Sequence, residues 1–181
     1  MKLPGILITI VLLGSNLFAQ SKFAVEKGQI DFVSRAELEL IKAYSSNIRG
    51  IVDFSTNQFA FSVDIKTFQG FNSSLQREHF MENYMEIEKY PRADFSGKII
   101  EPVDYQTDGI YEVRAKGDLN IHGQKQIRII KARITVKNGM INIDSDFVVP
   151  LADHNISIPK IVNQKIATEI EVSFKASLSH P

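Results

Sequence analysis

A strict two-residue alternation of apolar and polar side chains, held over whole segments, constrains this chain more than any other feature. Phe59, Phe61, Val63 and Ile65 alternate with Ala60, Ser62, Asp64 and Lys66. Tyr111, Val113, Ala115, Gly117, Leu119 and Ile121 alternate with Glu112, Arg114, Lys116, Asp118 and Asn120. Ile166, Thr168, Ile170, Val172, Phe174, Ala176 and Leu178 alternate with Lys165, Ala167, Glu169, Glu171, Ser173 and Lys175. Successive side chains of a strand point to opposite faces, so the pattern describes strands with one dry and one wet face. Antiparallel sheets have that asymmetry; parallel sheets are covered on both sides and read as continuous apolar runs.

Further strands are expected near 29–37, 47–54, 93–100, 125–136 and 140–149, for about eight in all. Within 125–136, Ile127 and Ile129 share one parity, while Ile130, Ala132, Ile134 and Val136 share the other. A change of phase of that kind predicts a β-bulge. Asn138-Gly139 between apolar runs predicts a two-residue hairpin turn, and His122-Gly123 and Asp108-Gly109 mark two more turns. Strands this long and this two-faced are a liability at an open sheet edge, and closure into a barrel removes the edges. The expected fold is all-β: an eight-stranded antiparallel barrel.

One segment departs from period two. Over 74–87, Leu75, His79 or Phe80, Met81, Tyr84 and Met85 recur at three- and four-residue steps, with Ser74 as the expected N-cap and Pro91 barring continuation. One short amphipathic helix in an all-β chain points to a lid or plug over the barrel, the alternative being that its apolar side chains simply close the core. Its two methionines are adaptable side chains suited to a flexible apolar partner. The connection 68–74 carries Phe68 and Phe71, read as exposed, and the connection 151–163 mixes Asp153, His154 and Asn155 with Ile156, Ile158 and Ile161.

The N-terminus reads as a targeting segment. Lys2 is its only early charge, 3–13 is almost wholly apolar, and Leu17-Phe18-Ala19 precedes Gln20. That describes a secretory signal peptide at 1–19, cut after Ala19, and its apolar run is shorter than the roughly 20 residues of a membrane span. Residues 20–181 then form one domain, periplasmic or secreted. With 21 basic and 21 acidic side chains and no cysteine, the chain lacks the basic excess that nucleic acid demands, disulfides, thiol catalysis and cysteine zinc sites.

Candidate chemistry is sparse. His79, Glu82 and Glu86 fall at i, i+3 and i+7, a half-site for a divalent metal without partners of recognisable spacing elsewhere; a solvated helix face is the reading adopted. His122, before Gly123, is expected to bond the turn backbone, with head-group contact as the rival. No nucleophile elbow or glycine-rich phosphate loop occurs. No catalytic residue, metal or cofactor is expected. Twelve Phe and five Tyr against no Trp suit an aromatic interior. An eight-stranded barrel is either filled by its own side chains or holds one small ligand. Small residues of inward parity, Ala115, Gly117, Gly97 and Ala176, leave room for one.

Three blocks resemble the YceI-like family, exported lipocalin-like barrels that bind polyisoprenoids and other long-chain amphiphiles. They are Arg77-Glu78-His79-Phe80 with Lys89-Tyr90-Pro91-Arg92-Ala93-Asp94-Phe95, then Gly117-Asp118-Leu119-Asn120-Ile121-His122-Gly123, then the region from Phe147 to the closing strand 168–176. The resemblance spans Phe23 to Ser177. It implies a lipocalin-like barrel with an elongated apolar cavity for a polyisoprenoid, fatty acid or fatty amide, and its polar end at the mouth. The wall residues expected on that basis are Phe61, Val63, Phe80, Met81, Tyr84, Met85, Phe95, Leu119, Ile121, Phe147, Ile158 and Phe174, with Arg77, His79 and His122 at the polar end. The alternative is a filled barrel acting as an interaction or stress protein through 68–71. A homodimer through an edge strand or the helix face is compatible with the sequence but carries no signature in it.

Overall fold

Nine strands carry the fold of residues 21–181, the part that the computed structural model describes; the signal peptide expected at 1–19 lies outside them. They are β1 (Lys22–Arg35), β2 (Leu40–Ser45), β3 (Ile48–Asp53), β4 (Gln58–Asp64), β5 (Arg92–Ile99), β6 (Gly109–Ile121), β7 (Gln124–Lys137), β8 (Met140–Pro150) and β9 (Glu169–Ser179). Every pairing is antiparallel, sequential from β3 to β9, and β1 pairs with β2, β3 and β9, which closes the sheet. β2 and β3 both pair with the same side of β1, β2 along residues 30–35 and β3 along 22–24. They are one strand position interrupted at 46–47, so the barrel has eight positions, as expected.

Three details differ from the expectation. β1 starts at Lys22, seven residues before 29, and β2 was not expected as a separate strand. Both lie in stretches such as Lys22–Gly28 where the alternation is weak: the strand is held by its neighbours β3 and β9 rather than by its own pattern. The bulge is in β1, between Val25 and Lys27 on the β9 side, and not in β7. β6 and β7 pair without a slip from Gly109↔Val136 to Ile121↔Gln124. The phase change at 127–130 is therefore real in the sequence and uncorrected by the backbone, so Ile127 and Ile129 face outward, 73% and 56% exposed.

The turns follow their chemistry. His122 and Gly123 (φ 52° and 70°) join β6 to β7, and Asn138 and Gly139 (φ 51° and 75°) join β7 to β8, the left-handed pairs that two-residue hairpins require. At Gly123 a Cβ would stand 2.4 Å from the Tyr90 ring, so only glycine lets that ring close over the turn.

β7 and β8 separate early. Their ladder runs only from Arg133↔Asp144 to Lys137↔Met140. Beyond it β7 continues on β6, and β8 on β9, with no rung between them.

Between β4 and β5 lies the expected helix, in altered form. A 3-10 turn (Ile65–Thr67) leads to α1 (Ser74–His79), which passes into a π-helical turn over Phe80–Tyr84. The N-cap is Ser73, whose hydroxyl accepts from the Gln76 amide at 3.1 Å, rather than Ser74. The cap belongs one residue earlier because Ser73 is extended (φ −152°, ψ 161°), the conformation that aims its oxygen at the first free amides.

Two apolar layers close the barrel ends. Phe23, Phe54 and Tyr105 form an edge-to-face and stacked trio, with centroids 5.5–5.6 Å apart, over Val52, Val113, Ile134 and Ile141. At the other end, the helix and the 68–71 connection pack on Ala43, Val63, Ile65 and Ile156.

Candidate functional site

The barrel is not filled between these two layers. A cavity of about 560 Å³ lies along its axis, within the 300–1,000 Å³ typical of small-molecule sites. Interior-facing Phe61, Phe95, Ala115, Ala132, Ser145, Phe147 and Phe174 are only half-buried although they point away from solvent, because they line this space. Ala115 and Ala132 leave it open in the middle. Gly97 and Gly117 act differently from the sequence reading. Paired across β5 and β6, they bring the backbones so close that a Cβ on Gly117 would lie 2.1 Å from the Ser96 carbonyl oxygen.

Eleven of the fifteen residues expected at the site line this cavity: Phe61, Val63, His79, Phe80, Tyr84, Met85, Phe95, Leu119, Ile121, Phe147 and Phe174. Phe61 meets Phe174 edge-on at 5.1 Å, and Phe59 meets Phe95 at 4.8 Å. At the mouth, Phe32, Phe68, Phe71 and Phe80 form one aromatic cluster with centroids 5.1–5.9 Å apart. Phe68 and Phe71, read from sequence as exposed, are turned into that cluster, Phe68 being 5% exposed.

Four expected residues lie off the wall. Met81 faces a groove away from the cavity with Arg77, Glu82 and Glu86. The π turn is the reason: the Met85 amide donates to the Phe80 carbonyl at 3.0 Å, which turns Met85 to the cavity and leaves Met81, though buried, on the groove side of the helix. Arg77 is a clamp, donating to the Phe68 carbonyl at 2.9 Å and the Lys66 carbonyl at 2.8 Å. Ile158 sits beyond the wall, and Ile156, 7% exposed, takes the place expected for it. His122 is a fastener. Its Nδ1 lies 3.0 Å from the His154 carbonyl and so donates to it, and its Nε2 lies 3.4 Å from Glu86 Oε1. His154, fully buried, donates from Nδ1 to the Gln124 carbonyl at 3.0 Å. The Tyr90 ring covers His122 edge-on at 4.7 Å. One buried knot thus ties the β6–β7 turn, the β8–β9 connection and the end of the lid.

Polar groups gather at the mouth. Ser34, Glu39, Ser73, Gln76, His79 and Lys165 border it. Ser34 accepts from the Ala167 amide at 2.9 Å, and Gln76 donates to Glu39 at 2.8 Å. Lys165 and Gln76 had no signal in the sequence, since a lone lysine in a connection and a glutamine on a helix are ordinary surface residues. Tyr84 reaches the cavity from the lid, and burial pushes its phenol up from the usual value. Lys89 donates to Glu86 and, ahead of His122, holds that carboxyl below the usual glutamate range. Among the described residues no cluster of three metal-ligating side chains occurs, and no helix is long and apolar enough to cross a membrane.

The fold has relatives among solved structures. A polyisoprenoid binding domain from Saccharophagus degradans, implicated in plant cell wall breakdown, superposes with a TM-score of 0.73 at 15% identity, over 88% of this chain and 98% of that one. BcnA of Burkholderia cenocepacia gives 0.70 at 13% identity, over 84% and 96%. The YCEI protein of Campylobacter jejuni gives 0.55 at 14% identity, over 100% and 92%. No curated protein matches the sequence. Residues 20–178 match the YceI-like domain, nearly the whole described chain, and the protein belongs to that family.

Proposed function

We propose that this protein is an exported carrier that holds the tail of a long-chain amphiphile in its barrel and keeps the head group at the mouth. The observation that carries this reading is the unfilled axial cavity, walled by Phe, Ile, Val and Leu and closed at its inner end by Phe23, Phe54 and Tyr105. An apolar tail gains about 25 cal/mol for each Å² it withdraws from water, and a preformed cavity avoids the ordering cost that otherwise consumes that gain. A polyisoprenoid, fatty acid or fatty amide meets this description. The solved domain from Saccharophagus degradans, described as polyisoprenoid-binding, supports the same class of ligand. Removal of 1–19 as a signal peptide belongs to this reading.

The contact residues follow from the wall. Phe61, Phe95, Leu119, Phe147 and Phe174 would meet the tail, with Phe80, Tyr84 and Met85 above it. His79 and Lys165, which make no side-chain hydrogen bond or ion pair among the described residues, are the donors for the head group. The test is native mass spectrometry of the protein from its expression host, with organic extraction of what is released. A stoichiometric amphiphile of several hundred daltons is expected. A protein that arrives bare and takes up neither fatty acid nor polyisoprenoid when these are added refutes the reading.

A further inference from the structure

The outer face of β7 carries two neighbouring exposed isoleucines where alternation calls for polar side chains; the other exposed aliphatics of the strands, such as Ile51, Ile110 and Met140, stand singly. From Gln124 to Ile129, polar Gln124, Gln126 and Arg128 have the inward parity while Ile127 and Ile129 stand outside. Because the β6–β7 register is continuous, no backbone adjustment restores the usual order. Aliphatic side chains on a strand's wet face are a local conflict, and such conflicts concentrate where function requires them.

Lysines flank the two isoleucines. The register sets Lys116 opposite Ile129 and Lys98 opposite Lys116, with Arg114 opposite Lys131 and Asn120 opposite Lys125. Lys98, Lys116, Lys125 and Lys131 are exposed, and none makes an ion pair among the described residues. Arg114 and Arg133 are neutralised by Glu101 and Glu112. The other carboxylates on this face are Asp118, opposite Ile127, Asp94, opposite Asn120, Asp144, opposite Arg133, and Asp146 beyond the seam, to which the Ser173 hydroxyl donates. Lys98 and Lys116, like charges directly opposite each other across β5 and β6, oppose folding.

The patch borders the place where β7 leaves β8. There the missing rungs are replaced by side chains: the Ser145 hydroxyl donates to the Lys131 carbonyl at 2.7 Å, and Arg128 Nη2 to the Val148 carbonyl at 2.8 Å. Val148, 40% exposed, adds an aliphatic group on the far lip.

We propose that this face, Ile127 and Ile129 within a ring of Lys98, Lys116, Lys125 and Lys131, docks on an anionic lipid bilayer. Exposed aliphatic side chains enter the head-group boundary, and unpaired lysines supply the attraction to anionic lipid. The docking goes beyond the ligand-carrier reading and does not depend on what the cavity holds.

The chain has no cysteine, so a single Ile127→Cys substitution gives a unique site for an environment-sensitive dye. Lys42→Cys, exposed on β2 across the barrel, is the control. Vesicles of phosphatidylglycerol and phosphatidylcholine should raise and blue-shift the signal at position 127 and leave position 42 unchanged. Phosphatidylcholine alone should do neither, and added salt should reverse the effect. In an Ile127→Cys background, Lys116→Glu with Lys131→Glu should weaken partitioning by about thirtyfold. Residues 1–20 are common to every variant, so their own affinity for lipid cancels. An equal response at both positions, no response at 127, or a signal at 127 that rises with protein concentration before vesicles are added (a second copy covering the face) overturns the proposal.

Discussion

Ala115→Phe tests whether the cavity holds the tail. Ala115 lies on the inner face of β6, between Ile99 and Ile130 in the register, and lines the middle of the space. A phenyl ring there displaces about four methylenes of a tail, and at about 0.8 kcal/mol each the loss is about 3 kcal/mol, roughly a hundredfold in Kd. The protein itself should not suffer, since filling a cavity commonly adds about 0.5–2 kcal/mol of stability. Competition titration with fatty acids of increasing length, read against a fluorescent analogue, measures both quantities. The variant should bind long chains about a hundredfold more weakly and favour chains shorter by about four carbons. A folded Ala115→Phe protein with unchanged affinity and unchanged length preference would show that the tail does not occupy the axis, and the argument from the wall would fail.

Three further predictions concern the frame. Gly117→Ala should destabilise the fold by about 1–3 kcal/mol, seen as a lower Tm, because its Cβ has no room before the Ser96 carbonyl oxygen. His122→Ala removes the donor to the buried His154 carbonyl and should cost about 1–3 kcal/mol, measured by urea denaturation, and faster hydrogen exchange should appear at both the 122–123 turn and the 151–156 connection. Glu86 has a folded-state pKa below its unfolded value, so its contribution is present above the ordinary glutamate range and is lost as pH falls through the lower folded value. Glu86→Gln should therefore narrow the stability gap between wild type and variant at acid pH and leave it widest near neutrality, in melts recorded across that range.

Much of the barrel was legible because its strands are amphipathic, and amphipathic strands announce which face is dry. β6 and β9 satisfy the alternation along nearly their whole length and were placed within a few residues. β1 was legible only in its second half. Its first residues, Lys22 to Gly28, include Glu26, Lys27 and Gly28, and what makes them a strand is pairing with β3 and β9, which no local pattern reports. The expected bulge in β7 failed for an instructive reason. A phase change in hydrophobicity has two physical solutions, an extra residue in the backbone or apolar side chains left in water. Sequence reasoning takes the first because the second is costly. The register of β6 on β7 shows the second.

The wall of the candidate cavity was legible in the sequence, and its lid was not. Inward parity finds Phe61, Phe95, Leu119 and Phe174 because a strand offers only two directions. A helix offers a continuum, and its assignment depends on a constant 3.6-residue period. Here the period is not constant: α1 gives way to the π turn over Phe80–Tyr84, and π turns of this kind are frequent at functional sites. With regular helical geometry Met81 and Met85 would share a face. With the Met85 amide bonded five residues back to Phe80, Phe80, Tyr84 and Met85 reach the cavity and Met81 does not. The consequence is a sharp contrast between two like substitutions four residues apart. Met85→Asp should abolish tail binding, since it sets a carboxylate against a closed apolar wall. Met81→Asp, on the outer groove beside Arg77, should lower stability but retain affinity for the amphiphile in the folded fraction. Equal loss of binding from both, in variants shown to be folded by circular dichroism, would mean that the lid follows a regular helix and that Met81 belongs to the wall.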